Sequence, residues 1–256
     1  MIKQLSIVLF VLLGVLQAQA QVKLIPRAIS ADDHKRKKPL DEALSAGFAG
    51  ISAELKVNRN GEIVCGKHPL KGTYLQPLHE LITQNKGAVY PGKKLDFVLY
   101  LEIGDDSMNI YKTLRRELEA YSSDYGIYQN GERIGGPVIV VLAGCVPFSV
   151  ITQETKRLVM VADQAPSENQ APELFATHLN FGKNFSWDGE KNMPNMQYHS
   201  FVTRVKLTKK AGKKVVLSNY PDRENAIEII LKTGVDYLLV DDIPDFVKFW
   251  ENRNPY

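Results

Sequence analysis

Short apolar runs alternate with longer amphipathic stretches along most of the chain. The clearest run, Leu95–Ile103, is almost uninterrupted, as is typical of a strand that a parallel sheet buries on both faces. The amphipathic stretches have helical length, and the first of them opens at Pro39 and ends before Gly47. This alternation predicts repeated βα units and therefore an α/β fold.

The pattern predicts eight strands with helices between them. Eight βα units favour a single (β/α)8 barrel, or TIM barrel, and residues 21–256 are long enough to form one. A doubly wound open sheet is the alternative, because periodicity does not reveal whether a sheet closes. Asn60-Gly61 also predicts a tight hairpin turn into Glu62–Cys65. The predicted strands are Val22–Ala28, Ile51–Val57, Leu95–Ile103, Val138–Leu142, Leu158–Ala162, Thr177–Leu179, Lys214–Ser218 and Tyr237–Val240. The predicted helices are Pro39–Ala46, Tyr74–Gln84, Ser107–Tyr121 with Ser107 as its cap, a short one near Pro147, Gln197–Lys210, Asp222–Lys232 and Pro244–Glu251, and long loops are expected over Gln164–Met196.

The first residues have the pattern of a secretory signal peptide. Lys3 precedes the apolar segment Ser6–Leu16, and Ala18-Gln19-Ala20 follows as a small-x-small cleavage site. The apolar segment is shorter than the roughly 20 residues that span a bilayer. No later segment is apolar enough to cross one. We therefore predict a signal peptide at residues 1–20 and a secreted or periplasmic mature chain, with a retained N-terminal anchor as the alternative.

Charge balance and cysteine count bear on the expected partners and on disulfide bonds. The balance of 32 basic against 29 acidic residues gives no reason to expect a nucleic-acid partner. Two cysteines, Cys65 and Cys145, are too few for a disulfide scaffold. Their neighbours place them on different strands, so we expect two unpaired thiols.

Candidate chemistry lies where the predicted strands end, because the active site of a (β/α)8 barrel is at the carboxyl ends of its strands. Acids together with histidines suit a divalent metal such as Ca²⁺, Mg²⁺ or Zn²⁺, or general acid–base catalysis. Glu102 interrupts an apolar strand, and a buried carboxylate needs a partner. Plain structural roles compete, including a solvated loop at residues 32–38, a helix cap at Asp241-Asp242, and packing or surface positions for His79 and His199. The candidates are Ser30, Asp32, Asp33, His34, Ser52, Glu54, His68, Glu102, Asp163, His178, Asn219, Asp241 and Asp242.

The order of several segments resembles the PI-PLC-like phosphodiesterase superfamily. This superfamily includes the glycerophosphodiester phosphodiesterases and a branch named after altered inheritance of mitochondria protein 6. The segments are Pro39–Leu44 with Gly47-Phe48, then Ile51–Val57, Gly61–Val64, Tyr74–Leu78, Leu99–Ile103, Phe185–Gly189 and Gly234–Tyr237 leading into Asp241-Asp242. The resemblance implies a TIM barrel that cleaves phosphodiesters. It also implies two histidines as acid and base, usually around a divalent cation such as Ca²⁺ or Mg²⁺ that carboxylates hold.

The chain departs from the family pattern at the chemical positions. Ala31 falls where the first histidine is expected, and Gly66 falls where the second is expected. The Glu-x-Asp pattern of strand two becomes Ser52-Ala53-Glu54, and the Asp-x-Lys pattern of strand three becomes Glu102-Ile103-Gly104. The nearest substitutes for the histidines are His34 and His68. The framework is thus kept more closely than the chemistry, as a non-catalytic relative would also require.

Three hypotheses follow for function. The first is a barrel with an eroded phosphodiesterase site, either very weakly active or a ligand-binding pseudoenzyme; the cofactor is either a divalent cation, Ca²⁺ or Mg²⁺, or none. The second is an active metal-dependent phosphodiesterase on a glycerophosphodiester or phosphoinositide-like headgroup, with Glu54 and Glu102 on the cation and His34 and His68 as base and acid. The third is a binding module for envelope lipids or glycans that uses Trp187, Phe185 and Tyr220 at the rim. The expected partner is a small phosphodiester or a lipid headgroup.

Overall fold

A computed structural model describes residues 22–130 and 132–253, which form a closed barrel of eight parallel strands. Each strand pairs with the next along the chain, and β1 pairs with both β2 and β8. The predicted (β/α)8 barrel is therefore confirmed, and the open sheet is excluded because no barrel strand is left at an edge. The barrel strands are β1 Ile25–Ser30, β2 Phe48–Val57, β3 Phe97–Ile103, β4 Val138–Gly144, β5 Met160–Asp163, β6 Leu174–Asn180, β7 Lys214–Ser218 and β8 Tyr237–Val240.

Helices follow the strands and cover the outside of the barrel. They are α1 Asp41–Ser45, α2 Gln76–Gln84, α3 Ser107–Glu119, α4 Phe148–Ile151, α5 Phe181–Asn184, α6 Asn195–Lys210, α7 Glu224–Lys232 and α8 Ile243–Asn252. A 3₁₀ turn, Asp33–Lys35, follows β1, and a turn of π-helix, Lys71–Leu75, leads into α2. Within the part of the chain that the structure describes, no helix is long and apolar enough to cross a membrane.

Two apolar cores lie on the two faces of the barrel wall. Ile29, Val98, Tyr100 and Val216 belong to the core inside the barrel, whereas the alternate strand residues pack outward against the helices. Because side chains alternate along a strand, the same alternation tells which strand-end residues face the barrel mouth. Those that face inward include Ser52, Glu54, Glu102, His178 and Ser218.

Two excursions extend the barrel. The predicted hairpin after β2 is present, since Ile63–Cys65 pairs antiparallel with β2. His68–Pro69 then pairs antiparallel with Ile63–Cys65. A separate three-stranded sheet, Gly126–Gln129, Glu132–Gly135 and Lys156–Arg157, was not predicted. Its second strand is exposed throughout, so it lacks the apolar alternation that marks a strand.

Several predicted boundaries were wrong. β1 begins at Ile25 rather than at Val22, and β6 is seven residues long although only Thr177–Leu179 was predicted. Ser107 is the first residue of α3 and does not cap it; Asp106 precedes the helix. Cys65 is buried and Cys145 is exposed, and both are free thiols. The predicted signal peptide, residues 1–20, lies outside the described residues.

Candidate functional site

The loop after β1 is organised by a buried carboxylate. Asp33 is fully buried and accepts hydrogen bonds from the Ser30 hydroxyl at 2.8 Å and from the backbone N–H of Leu40 at 2.6 Å. Burial raises the pKa of Asp33, and its hydrogen bonds oppose that shift. Arg36 donates to the Ser30 hydroxyl at 2.7 Å and to the carbonyl of Val240 at 3.0 Å, which ties the end of β1 to the end of β8. Ser30 and Asp33 therefore hold the loop together, and their polar atoms are already engaged.

Two glutamates lie side by side at the mouth. Glu54 on β2 and Glu102 on β3 are register partners, and both face inward. The pKa of Glu102 is raised, first by burial and then by the negative charges of Asp32 and Glu54. Glu102 makes no hydrogen bond or ion pair within the described residues, whereas Glu54 forms an ion pair with Lys56 at 3.2 Å. The predicted metal ligands are thus adjacent, as expected from parallel strands.

The glutamate pair fits only one kind of cation site. Within residues 22–130 and 132–253, no three His, Cys, Asp or Glu side chains are grouped so that they could hold a metal. Mg²⁺ binds through one or two carboxylates when it keeps several waters and contacts a substrate phosphate. Glu54 and Glu102 would therefore suit a hydrated cation, and no side chain in the described part of the chain completes an all-protein cage around them.

Gly104 follows the end of β3, at the position where the resemblance implies a lysine. A Cβ atom at Gly104 would lie 3.4 Å from Oε1 of Glu54, so the Glu54 carboxylate leans over the end of the neighbouring strand. An Asp-x-Lys motif would place a side chain there. The carboxylate of Glu54 therefore lies next to Gly104, where the resemblance implies a lysine side chain.

The two candidate histidines lie on different elements, His34 in the turn after β1 and His68 on the hairpin that follows β2. His34, in the turn after β1, packs on the backbone of Gly66, where an added Cβ would lie only 3.0 Å from the imidazole Cδ2. Burial is the main cause that lowers the pKa of His34, while the charges of Asp32 and Glu54 oppose it. His68 is the register partner of Cys65 on the hairpin. Nδ1 of His34 and Nε2 of His68 are both buried without a hydrogen-bond partner, and no ring contact joins the two imidazoles in the described chain.

Most other candidates have structural roles. Asp163 faces outward and forms an ion pair with the buried Lys213 at 2.6 Å. Asp242 caps α8 by accepting a hydrogen bond from the backbone of Asp245, as the structural alternative predicted. Asn219 adopts a positive φ of 52° at the end of β7. His79 pairs with Asp124 at 2.7 Å, away from the strand ends.

The aromatic residues expected at the rim form a packed cluster instead. Trp187 is 7% exposed, and its indole N–H donates to the carbonyl of Lys191 at 3.1 Å. Phe185 packs against Phe181 and Phe201, with ring centroids 4.9 Å and 5.6 Å apart. These rings bury one another beside the barrel, so they do not form the open aromatic surface on which the third hypothesis depends.

A polar pair on the other side of the mouth includes one residue that the sequence analysis missed. Nε2 of His178 lies 2.8 Å from the hydroxyl of Ser218, and the imidazole meets the Tyr100 ring edge-on at 5.7 Å. Burial, followed by the positive charge of Lys183, lowers the pKa of His178 to about 4. The imidazole is therefore neutral at neutral pH. Ser218 could have been found from the alternation in β7, because it shares the inward face with Val216.

Comparison with known proteins matches the description AIM6-like phosphodiesterase domain to residues 18–163, which is more than half of the chain. The chain belongs to the AIM6-like phosphodiesterase family. Its similarity to altered inheritance of mitochondria protein 6 of Eremothecium gossypii is 24% identity over 273 residues, covering 89% of this chain and 70% of that protein. The resemblance read from the segment order is thereby confirmed.

A solved structure agrees with the family at the level of fold. The crystal structure of a candidate glycerophosphodiester phosphodiesterase from Galdieria sulphuraria superimposes with a TM-score of 0.52 at 13% identity. The superposition covers 88% of this chain and 98% of that chain. At this identity the likeness shows only that the two chains share a barrel fold. The chemistry of the AIM6-like chain has to be inferred from its own residues.

Proposed function

We propose that this chain is an exported AIM6-like phosphodiesterase barrel with an eroded active site, which binds a small phosphodiester or lipid headgroup with weak or no turnover. The observation that carries the proposal is the contact between His34 and Gly66. At the position where the family has its second histidine, this chain has a glycine, and the nearby imidazole lies on that glycine's backbone. The His34 imidazole thus packs against the position at which the resemblance places the second histidine.

Acid–base catalysis needs each imidazole within hydrogen-bond reach of a reacting oxygen, directly or through one water. Burial lowers the pKa of His34, which disfavours the imidazolium that a general acid needs, and its buried Nδ1 has no hydrogen-bond partner. Nε2 of His68 is buried as well. The ion pair with Lys56 and the raised pKa of Glu102 both weaken the negative charge that the glutamates offer to a cation.

An active metal-dependent phosphodiesterase is the second candidate, and the adjacency of Glu54 and Glu102 favours it. In that case the two carboxylates would hold a hydrated Mg²⁺ or Ca²⁺. The cation would offset the charge that develops on the phosphoryl group. His34 and His68 would then have to turn toward the ligand.

Turnover of a chromogenic nitrophenyl phosphodiester, with and without added Mg²⁺ or Ca²⁺, separates the two candidates. The eroded site predicts a rate close to that of buffer under all conditions, together with heat release when glycerophosphocholine is titrated into the protein. Metal-dependent turnover that disappears in His68→Ala and in Glu102→Gln, but persists in the exposed-surface control His199→Ala, would overturn the proposal. Absence of both turnover and binding would overturn it too. Export is tested separately, by sequencing the N-terminus of the mature protein after expression in a secreting host; cleavage after Ala20 is expected.

A further inference from the structure

The β6–β7 side of the mouth carries a polar pair that is separate from the family's motif positions. His178 and Ser218 both lie beyond residue 163, where the family match ends. They occupy inward positions near the ends of neighbouring parallel strands, and Ser218 is the register partner of Asn180, two residues after His178. The 2.8 Å contact between Nε2 and the hydroxyl therefore spans the two strands at the level of the mouth.

The pair has one hydrogen-bond donor to spare in either protonation arrangement. A neutral imidazole carries one N–H, and a serine hydroxyl carries one O–H. If Ser218 donates to Nε2, the N–H is on Nδ1 and is free; if Nε2 donates, the hydroxyl hydrogen is free. Neither side chain makes another hydrogen bond in the described part of the chain. One donor is therefore left for an oxygen atom of a ligand.

One lysine follows β6 on this side of the mouth. Lys183 lies in α5, which directly follows β6, and its backbone N–H donates to the side chain of Asn180 at 3.1 Å. Its ammonium is exposed and forms no ion pair with any described residue. The charge that acts on the imidazole of His178 is that of Lys183, whereas the negative charges of Glu102 and Asp163 act on Tyr100, the ring that His178 contacts. An anion is thus favoured beside His178.

The imidazole is also held in place before any ligand arrives. Its edge-on contact with Tyr100 at an interplanar angle of 89° fixes the ring against the inner core. Tyr100 is fully buried between Val98 and Glu102 on the inner face of β3. A donor on a fixed ring loses little conformational freedom on binding.

We propose that His178, Ser218 and Lys183 form a phosphate-binding subsite on the β6–β7 side of the barrel mouth. Lys183 supplies the opposite charge, and the His178–Ser218 pair supplies the uncharged donor. The subsite deepens the proposed function, because the ligand proposed for the mouth carries a phosphoryl group. The same chemistry accepts free phosphate or the phosphate of a lipid headgroup.

Calorimetric titration of the chain from residue 21 with inorganic phosphate, and separately with glycerophosphocholine, tests this subsite. Lys183→Ala is expected to weaken phosphate binding about tenfold or more, as is usual when one charge-assisted contact is lost. Ser218→Ala and His178→Gln should each weaken it by a smaller factor. The matched control, Lys206→Ala, removes an exposed lysine from the side of α6 and should leave binding unchanged. Thermal melting of each variant identifies any that fails to fold, and Ser218→Thr, which keeps the hydroxyl, should retain binding.

The pKa of His178, followed through its ring proton by NMR, gives a second readout. Bound phosphate should raise that pKa, because an adjacent anion favours the imidazolium. Phosphate binding that is equal in the parent, Lys183→Ala and Ser218→Ala, or an unchanged His178 titration at saturating phosphate, would overturn the subsite. If Lys183→Ala and Ser218→Ala leave glycerophosphocholine binding intact, the subsite is overturned and the proposed function is supported. If the protein binds phosphate but not glycerophosphocholine, the subsite is supported and the proposed function is overturned.

Discussion

The carboxylate of Asp33 accepts a hydrogen bond from the backbone N–H of Leu40 at 2.6 Å, across the whole loop that joins β1 to α1. Leu40 has a φ of 67°, a left-handed conformation that is costly for a bulky side chain, and it is 1% exposed. The buried side chain and the hydrogen bond together hold the residue there. The loop that frames one side of the mouth therefore depends on a single buried acid.

Asp33→Asn should destabilise the barrel by about 2 kcal/mol. An amide offers only one oxygen, so it cannot accept from both the Ser30 hydroxyl and the Leu40 N–H. The free energy of unfolding in urea measures the loss. Asp32→Asn is the matched control, because Asp32 is exposed and asparagine tolerates its left-handed backbone. Equal losses in the two variants would contradict the role assigned to Asp33.

Tyr100→Phe should leave the fold intact and raise its stability by about 1 kcal/mol. The Tyr100 hydroxyl is buried and has no hydrogen-bond partner, while the ring packs inside the barrel. Removing the hydroxyl removes an unpaired polar group and keeps the ring that contacts His178. Thermal and urea unfolding check this. A loss of stability instead would reveal a buried water that binds the hydroxyl.

Stability should fall as the pH drops from about 6.5 to 4, in part because of His178. Its pKa is lowered to about 4 in the folded chain. The unfolded chain therefore binds a proton at higher pH than the folded chain does, and acid favours unfolding in that window. The contribution is up to about 3 kcal/mol. His178→Gln should flatten the pH dependence measured by urea unfolding between these limits, and an unchanged slope would contradict a buried neutral imidazole.

The ion pair between Asp163 and Lys213 should lose unequal amounts of unfolding free energy when one or the other partner is replaced. The side chain of Lys213 is 1% exposed, whereas that of Asp163 is 22% exposed. Asp163→Asn leaves a buried ammonium without a counter-charge and should cost about 3 kcal/mol. Lys213→Met leaves a carboxylate that water can still reach, so its cost should be smaller. Urea unfolding of both variants decides the order, and a larger loss in Lys213→Met would contradict it.

Hydrophobic periodicity predicted the fold well where strands are apolar. β7 and β8 were predicted with their observed bounds, since each contains at least three consecutive apolar residues. β6 was underpredicted because it lies in a segment rich in Asn, Pro and Ser, where the apolar periodicity fades, so residues 174–176 were left out of the predicted strand. The exposed strand Glu132–Gly135 left no pattern to detect. A single sequence predicts strands through the spacing of apolar residues, so strands made of polar residues are missed.

The site could be predicted only as a set of positions near strand ends. That set contained Glu54, Glu102 and His178, because parallel strands deliver their last residues to one mouth. Inward or outward orientation follows from the alternation of side chains along each strand, which the choice of strand-end positions did not use. Asp163 was therefore chosen although it faces outward, and Ser218 was passed over for its neighbour Asn219.

Gly66 limits the order in which substitutions could build a two-histidine site into this chain. This position has a φ of 61°, and a Cβ placed there would lie 3.0 Å from the His34 ring. Gly66→His introduced alone would meet both a strained backbone and an occupied space. Replacement of His34 by a small residue would therefore have to come first. A histidine at position 66 is thus blocked by a neighbouring side chain as well as by the backbone of the position itself.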